Sequence, residues 1–257
     1  MAKWTAFPHA GEFSFDAAAV KKSWARLHAG DAEPAPKDAK VLEAWTLFHN
    51  GEFQKAAEAG LKAGGDGITV ANKATSIYAN YLESKEKVKL DLFLEIAQRA
   101  EAQGQQDPQN ANAWYWQAYA LGRYSQGISV AKALAQGLGG KVKESLEKVI
   151  KLQPKHADAC IALGAFHAEV IDKVGSLIGS MTYGAKKDAG LKLFQEALRL
   201  NPGSAIGMVE YANALVMLEG DKKMKEATKL YEQAAACKPV DATERLDVEM
   251  AKAELED

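Results

Sequence analysis

A chain of 257 residues can bury a substantial core, and a formal net charge of −2 gives it no general attraction to nucleic acid or to anionic membranes. Two cysteines, Cys160 and Cys237, are too few for a disulfide framework and fall in apolar helical stretches, which reads as small core residues. No segment approaches the roughly 18 uncharged apolar residues of a membrane span, and the abundance of alanine, leucine, lysine and glutamate over β-branched residues favours helix.

The opening stretch, MAKWTAFPHAGEFSF, lacks the continuous apolar run of a signal peptide. The expected location is therefore cytoplasmic, with a periplasmic location as the alternative if an export signal has been removed. Phe15 to Ala29 reads as an amphipathic helix opened by Asp16, with Trp24 and Leu27 able to cover whatever follows. Asp31 to Pro36 is a proline-punctuated linker. Residues 1–36 are thus a capping helix and linker, 37–239 about five repeats, and 240–257 a closing helix, all within one domain of residues 1–257.

The repeats are marked by prolines. VKESLEKVIKLQP ends at Pro154, GLKLFQEALRLNP at Pro202 and ATKLYEQAAACKP at Pro239, with a longer phrase ending at Pro108. Each phrase carries an apolar stripe at spacings of four and three: Val142, Leu146, Val149; Gly190, Phe194, Ala197; Ala227, Tyr231, Ala234. Segments from Ala111, Ala157 and Ala205 align with one another. They bring Trp114, Cys160 and Met208 into register, then the small residues Ala118, Gly164 and Ala212. A helix position that small implies a second helix crossing there. Trp114 reads as a core residue between the two helices. Two earlier units complete the set, one from Ala44 to Gly64 and one whose first helix starts near Asn72 and runs through Thr75, Tyr78, Ala79 and Leu82. Thr243 to Leu255 reads as the closing helix, with Glu244, Asp247, Glu249 and Glu254 in water.

This helix–turn–helix phrasing resembles the tetratricopeptide repeat. The resemblance implies an all-α chain wound as a right-handed α-α superhelix of helical hairpins. Two central repeats are expanded by low-charge excursions, Ile128 to Leu138 and Val174 to Thr182. It also implies that first helices line a concave groove. Its register puts Asn80, Asn112, Tyr115, Tyr119, Arg123, Glu169 and Asn213 on that face as candidate binding residues. Asparagines can hold a peptide's amides, tyrosines give rigid contact area, and Arg123 can grip a carboxylate with two hydrogen bonds.

The expanded repeats also resemble the TatT-like T-components of tripartite periplasmic transporters, in which a stretch like LGGD precedes a second helix. Here Leu138, Gly139, Gly140 and Lys141 stand at that place, with lysine for aspartate. That resemblance implies a periplasmic partner of a solute-binding protein, or an apolar ligand in a central pore.

Signatures of chemistry do not occur. The five histidines show no HxxxH or HExxH spacing, there is no CxxC or GxSxG, and GLGGKV lacks the leading glycine and the hydroxyl residue of a P-loop. No catalytic, metal or cofactor residue is assigned. The expected function is a non-catalytic scaffold whose partner is another protein, a peptide or a small apolar ligand. An enzyme with an unrecognised site and a structural homo-oligomer are the alternatives.

Overall fold

The computed structural model describes residues 3–256, which contain helices and no strand. In chain order the helices are α1 (Ala17–Leu27), α2 (Ala39–His49), α3 (Phe53–Ala63), α4 (Gly67–Ile77), α5 (Glu86–Gln106), α6 (Ala111–Gln126), α7 (Val130–Ala135) and α8 (Leu138–Leu152). They continue as α9 (Ala157–Val174), α10 (Ser176–Tyr183), α11 (Lys187–Leu200), α12 (Ala205–Glu219), α13 (Met224–Ala235) and α14 (Ala242–Ala253). Two compact units divide them. One holds residues up to 28, 33–152 and 240–243; the other holds 29–32, 153–239 and the residues from 244 on.

In the first unit α2 packs on α3, α4 on α5 and α6 on α8, and α4 neighbours both α2 and α6. In the second unit α9 pairs with α11 and α12 with α13, and α9 and α12 are neighbours. The reason is legible residue by residue. Pro108, Pro154 and Pro202 each stand two residues before a helix cap. Asn110, His156 and Ser204 accept a hydrogen bond from the backbone amide three residues on, at 3.0, 3.0 and 3.1 Å. A cap of this kind satisfies one of the amide groups that a helix start leaves unpaired. His156 accepts through Nδ1, so its proton sits on Nε2.

The small positions do what the packing demands. Ala118, Gly164 and Ala212 are all buried. A Cβ on Gly164 would meet the Phe194 ring at 2.8 Å and the Gly190 carbonyl at 3.1 Å, which is how closely α9 and α11 approach. The second unit's end is closed by α14, where Val248 and Ala251 join Ala205, Val209 and Ala234, with Met208 and Tyr231 alongside.

Four expectations are corrected in detail. The second repeat starts at Gly67 rather than near Asn72, because Gly60 and Gly67 let the end of α3 meet the start of α4: a Cβ on Gly60 would lie 2.5 Å from the Gly67 carbonyl. Helix α4 then runs on as a π-helical turn, Tyr78–Leu82. Trp114 is half-exposed and not core. Its ring lies against Gly104, its indole nitrogen donates to the Pro108 carbonyl at 3.1 Å, and the Lys148 ammonium sits 3.3 Å from its ring centre. Trp116 is the buried tryptophan of that run. Cys237 is half-buried, its thiol turned to the Gln233 carbonyl, and Asp247 is buried where a solvated acid was expected.

Candidate functional site

The inner face of the first unit is formed by α2, α4 and α6, and most of it is closed. Trp45, Phe48 and His49 from α2, Lys73 and Ser76 from α4, and Asn112 and Tyr115 from α6 are all buried. What covers them is the chain's own beginning. Trp4 stacks on Tyr78 with ring centres 4.2 Å apart, and Phe7 meets Phe53 edge-on. Phe15 and Asn50 exchange two hydrogen bonds, at 2.7 and 2.9 Å. Helix α1 and its cap lay Trp24 and His28 against Trp45, and the Trp24 indole donates to the Glu33 carbonyl at 2.8 Å. The Glu33 carboxylate in turn accepts from the Asn112 amide.

Two polar features lie inside this packing. His49 Nδ1 is 2.7 Å from Asp241 Oδ2, and His49 Nε2 is 3.3 Å from His28 Nε2. An ionised Asp241 can only accept, so His49 donates to it through Nδ1. The second feature is Lys73, whose ammonium stands 5.6 Å from the Trp45 ring centre and 5.2 Å from that of Phe48. A desolvated cation over aromatic faces recovers part of its lost hydration. Behind them Arg99 ties α5 to α4, donating to Asn72 at 2.6 Å and to Glu95 at 2.9 Å. Its burial lowers the guanidinium pKa, and Glu95 partly restores it. Trp45 Nε1, Asn72 Nδ2, Ser76 Oγ and Trp116 Nε1 have no hydrogen-bond partner among the described residues.

The open part of the face lies toward the C-terminal ends of α4 and α6. Here Asn80, Tyr119 and Arg123 are half-exposed, and the Arg123 guanidinium lies 5.3 Å from the Tyr119 ring centre and donates to Gln126. The π-helical turn carrying Asn80 is held by Tyr78, whose hydroxyl donates to Glu83 at 2.7 Å. Burial and the Glu83 carboxylate together raise the Tyr78 pKa, so the phenol keeps its proton and the bond.

The seven candidate residues therefore separate. Asn80, Tyr119 and Arg123 are half-exposed, whereas Asn112 and Tyr115 are buried, Asn112 against the Glu33 carboxylate. In the second unit Glu169 is half-exposed on α9, and Asn213 on α12 accepts a hydrogen bond from Tyr231 of α13, which fixes it within its own hairpin. Sequence reasoning missed the His28–His49–Asp241 chain because its members are 21 and 192 residues apart, and no local spacing announces them.

A family model for regulator of microtubule dynamics proteins 1–3 matches residues 46–257. The chain belongs to that family. The match takes in both expanded repeats, the region that in sequence resembles the TatT-like components, and the family that matches is not that one. Among solved structures, TTC0263, a thermophilic TPR protein of Thermus thermophilus, is similar over 83% of this chain and 97% of its own, with a TM-score of 0.58 and 14% identity. That likeness is one of fold. No curated protein matches.

The family match begins inside α2, so the segment that covers the inner face from the chain's beginning lies outside it. Within the match, Cys160 sits in the α9 core with its thiol pushed up to about 11, first by burial and then by the Glu196 and Asp158 carboxylates. A thiol at that value is almost wholly protonated at pH 8, and the thiolate is the reactive form. A thiol reagent at pH 8 is therefore expected to modify Cys237 readily and Cys160 only on unfolding, as two separate phases in labelling followed by mass. Equal rates at the two sites in native protein would contradict the packing around α9.

Proposed function

We propose that this protein is a non-catalytic, cytoplasmic scaffold that takes an extended, carboxylate-bearing segment of another protein at the open stretch formed by Asn80, Tyr119 and Arg123. The observation that carries the reading is the half-exposed Arg123–Tyr119 pair on α6, with Asn80 half-exposed in the π-helical turn that continues the neighbouring helix α4. A guanidinium backed by an aromatic face offers a fixed fork to a carboxylate, and an asparagine amide both donates to and accepts from a passing backbone. The TPR-like fold supports protein binding in general. The closed remainder of the face, filled by residues from 4–28 and by Glu33, confines the partner to a short contact.

The test is affinity capture from the native cell, comparing the intact chain with Tyr119→Ala/Arg123→Ala. Both side chains are half-exposed, so the double variant should melt within about 1 kcal/mol of the parent, as surface changes do. Loss of the same partner from the variant is the expected result. Unchanged capture would remove this stretch from consideration.

The family's description favours one second reading, in which the partner belongs to the microtubule system. Co-pelleting of the chain with assembled microtubules, lost in the same double variant, would select it.

A further inference from the structure

A cavity of about 410 Å³ lies within the first unit, where α5 and α8 both pack on α6. Sites for small ligands have volumes of about 300–1,000 Å³. Helix α5 supplies Leu94, Ala97 and Glu101, helix α6 supplies Gln117, Leu121 and Tyr124, and the first turn of α8 supplies Leu138 and Lys141. Spacings of three and four put the members of each set on one side of their helix. The expanded repeat brings in the third wall. After α7 the chain turns through Gly137 at φ 64°, a conformation glycine adopts without a clash, and α8 starts directly after it.

Leu94, Ala97, Leu121 and Leu138 give the cavity an apolar lining, and two buried polar side chains are set among them. Gln117 is 6% exposed; its Oε1 accepts from the Ser145 hydroxyl at 3.0 Å, and its amide nitrogen has no partner among the described residues. The Tyr124 hydroxyl, on a side chain also 6% exposed, has none either. Buried polar groups are nearly always hydrogen-bonded, so both require an acceptor from within the cavity. A helix start also leaves backbone amides without intrahelical partners, and α8 starts here. Glu101 and Lys141 are exposed at the rim and take part in no ion pair among the described residues. Glu144, one turn beyond Lys141, is exposed and forms no bridge to it. Lys132 of α7 adds a second cation, 5.9 Å from the Tyr124 ring centre.

The order of these groups along α6 follows from four contacts. Gly104 lies against Trp114 and Leu90 against Gly127, so α5 runs opposite to α6 and sets Glu101 at the level of Gln117. Lys148 lies over Trp114 and Ser145 bonds Gln117, so α8 also runs opposite to α6 and its first turn reaches the level of Leu121 to Tyr124. The carboxylate thus stands at one end of the cavity, and the lysine, the phenol and the helix start at the other. Seven residues of helix separate Gln117 from Tyr124, a rise of about 10 Å, so the two donors need two acceptors.

We propose that this cavity binds an apolar dipeptide along α6. Its ammonium meets Glu101, its peptide carbonyl accepts from Gln117, and its carboxylate lies at the start of α8 with Tyr124 and Lys141. Its side chains cover Leu94, Ala97 and Leu121. An anion such as a fatty acid would leave Glu101 unanswered, and a cation would leave the donors at the other end without an acceptor. At about 100° per residue, Tyr119 and Arg123 lie roughly opposite Gln117 and Leu121 on α6, so this inference is independent of the partner contact proposed there.

Isothermal titration calorimetry of the full chain with leucyl-leucine tests it. The dipeptide should bind, and its N-acetylated and C-amidated forms should each bind at least about tenfold more weakly, the value of one charge-assisted hydrogen bond. Lys141→Gln should weaken binding of the dipeptide but not that of its amidated form, and Glu101→Gln should spare only the acetylated form. Tyr124→Phe, which removes one hydroxyl, should weaken binding severalfold and keep the thermal melt. Absence of dipeptide binding at millimolar concentration overturns the inference. Equal binding of the three forms overturns it too, by making the cavity an apolar pocket only. Binding untouched by both Lys141→Gln and Tyr124→Phe would place the dipeptide elsewhere on the chain and likewise contradict it.

Discussion

Replacing Trp45 with alanine is expected to lower stability by about 3–5 kcal/mol, the range for removing a large aromatic side chain from a closed core. Trp45 is fully buried at the centre of the first unit's inner face. Trp24 and Phe48 approach it edge-on with ring centres at 5.9 and 5.5 Å, His28 does so at 4.6 Å, and His49 stacks on it at 5.8 Å. These four neighbours come from two different elements, α1 with its cap and α2, so the cavity left by alanine cannot close by the movement of one. Lys73 would also lose one of the two aromatic faces beneath its ammonium. Trp45→Phe separates packing from hydrogen bonding. The indole N–H has no partner among the described residues, so phenylalanine gives up volume but also relieves a buried donor whose desolvation costs about 1–3 kcal/mol. The phenylalanine variant should therefore lose much less than half of what alanine loses in urea denaturation. Equal losses would mean that the indole nitrogen is satisfied in solution.

The second large effect belongs to the buried chain of His28, His49 and Asp241. His49→Ala removes a donor from the Asp241 carboxylate and the ring-nitrogen partner of His28 in one step. With both neighbours buried, a loss of about 3–5 kcal/mol is expected, as when one member of a buried pair is deleted. Asp241→Asn keeps an oxygen that can accept from His49 Nδ1 and should cost less. In a double-mutant cycle between His49→Ala and Asp241→Ala, the two losses should fall short of additive by at least about 1 kcal/mol, since contacting residues share one interaction. Additive losses would mean that the 2.7 Å contact contributes nothing of its own.

The helices and their packing partners were legible because their signals are local. A proline followed two residues later by a capping side chain, and then a small residue seven on from the helix start, is a pattern contained in one turn and one helix. Ala118, Gly164 and Ala212 behave accordingly. The run Trp114, Tyr115, Trp116 shows where local reading stops. Adjacent residues on a helix point about 100° apart, so an error of phase by two residues exchanges a half-exposed tryptophan for a buried one. Closure of the inner face was not legible at all. Asn112 meets a carboxylate 79 residues earlier, and Phe15 meets an asparagine 35 residues later; neither leaves any periodic trace. The register correctly placed Asn112 and Tyr115 on a first helix, but register alone does not say whether another part of the chain lies over them.

Hydrogen exchange of the native protein tests that closure most directly. An isolated helix of 11 residues is marginal in water, so α1 holds its amides only if it is docked. Amides of residues 20–28 should exchange nearly as slowly as those of α2 and α6, and should lose protection together with α2 in Trp45→Ala. If they exchange within seconds while α2 and α6 stay protected, the beginning of the chain does not lie over the inner face, and Asn112 and Tyr115 return to an open groove.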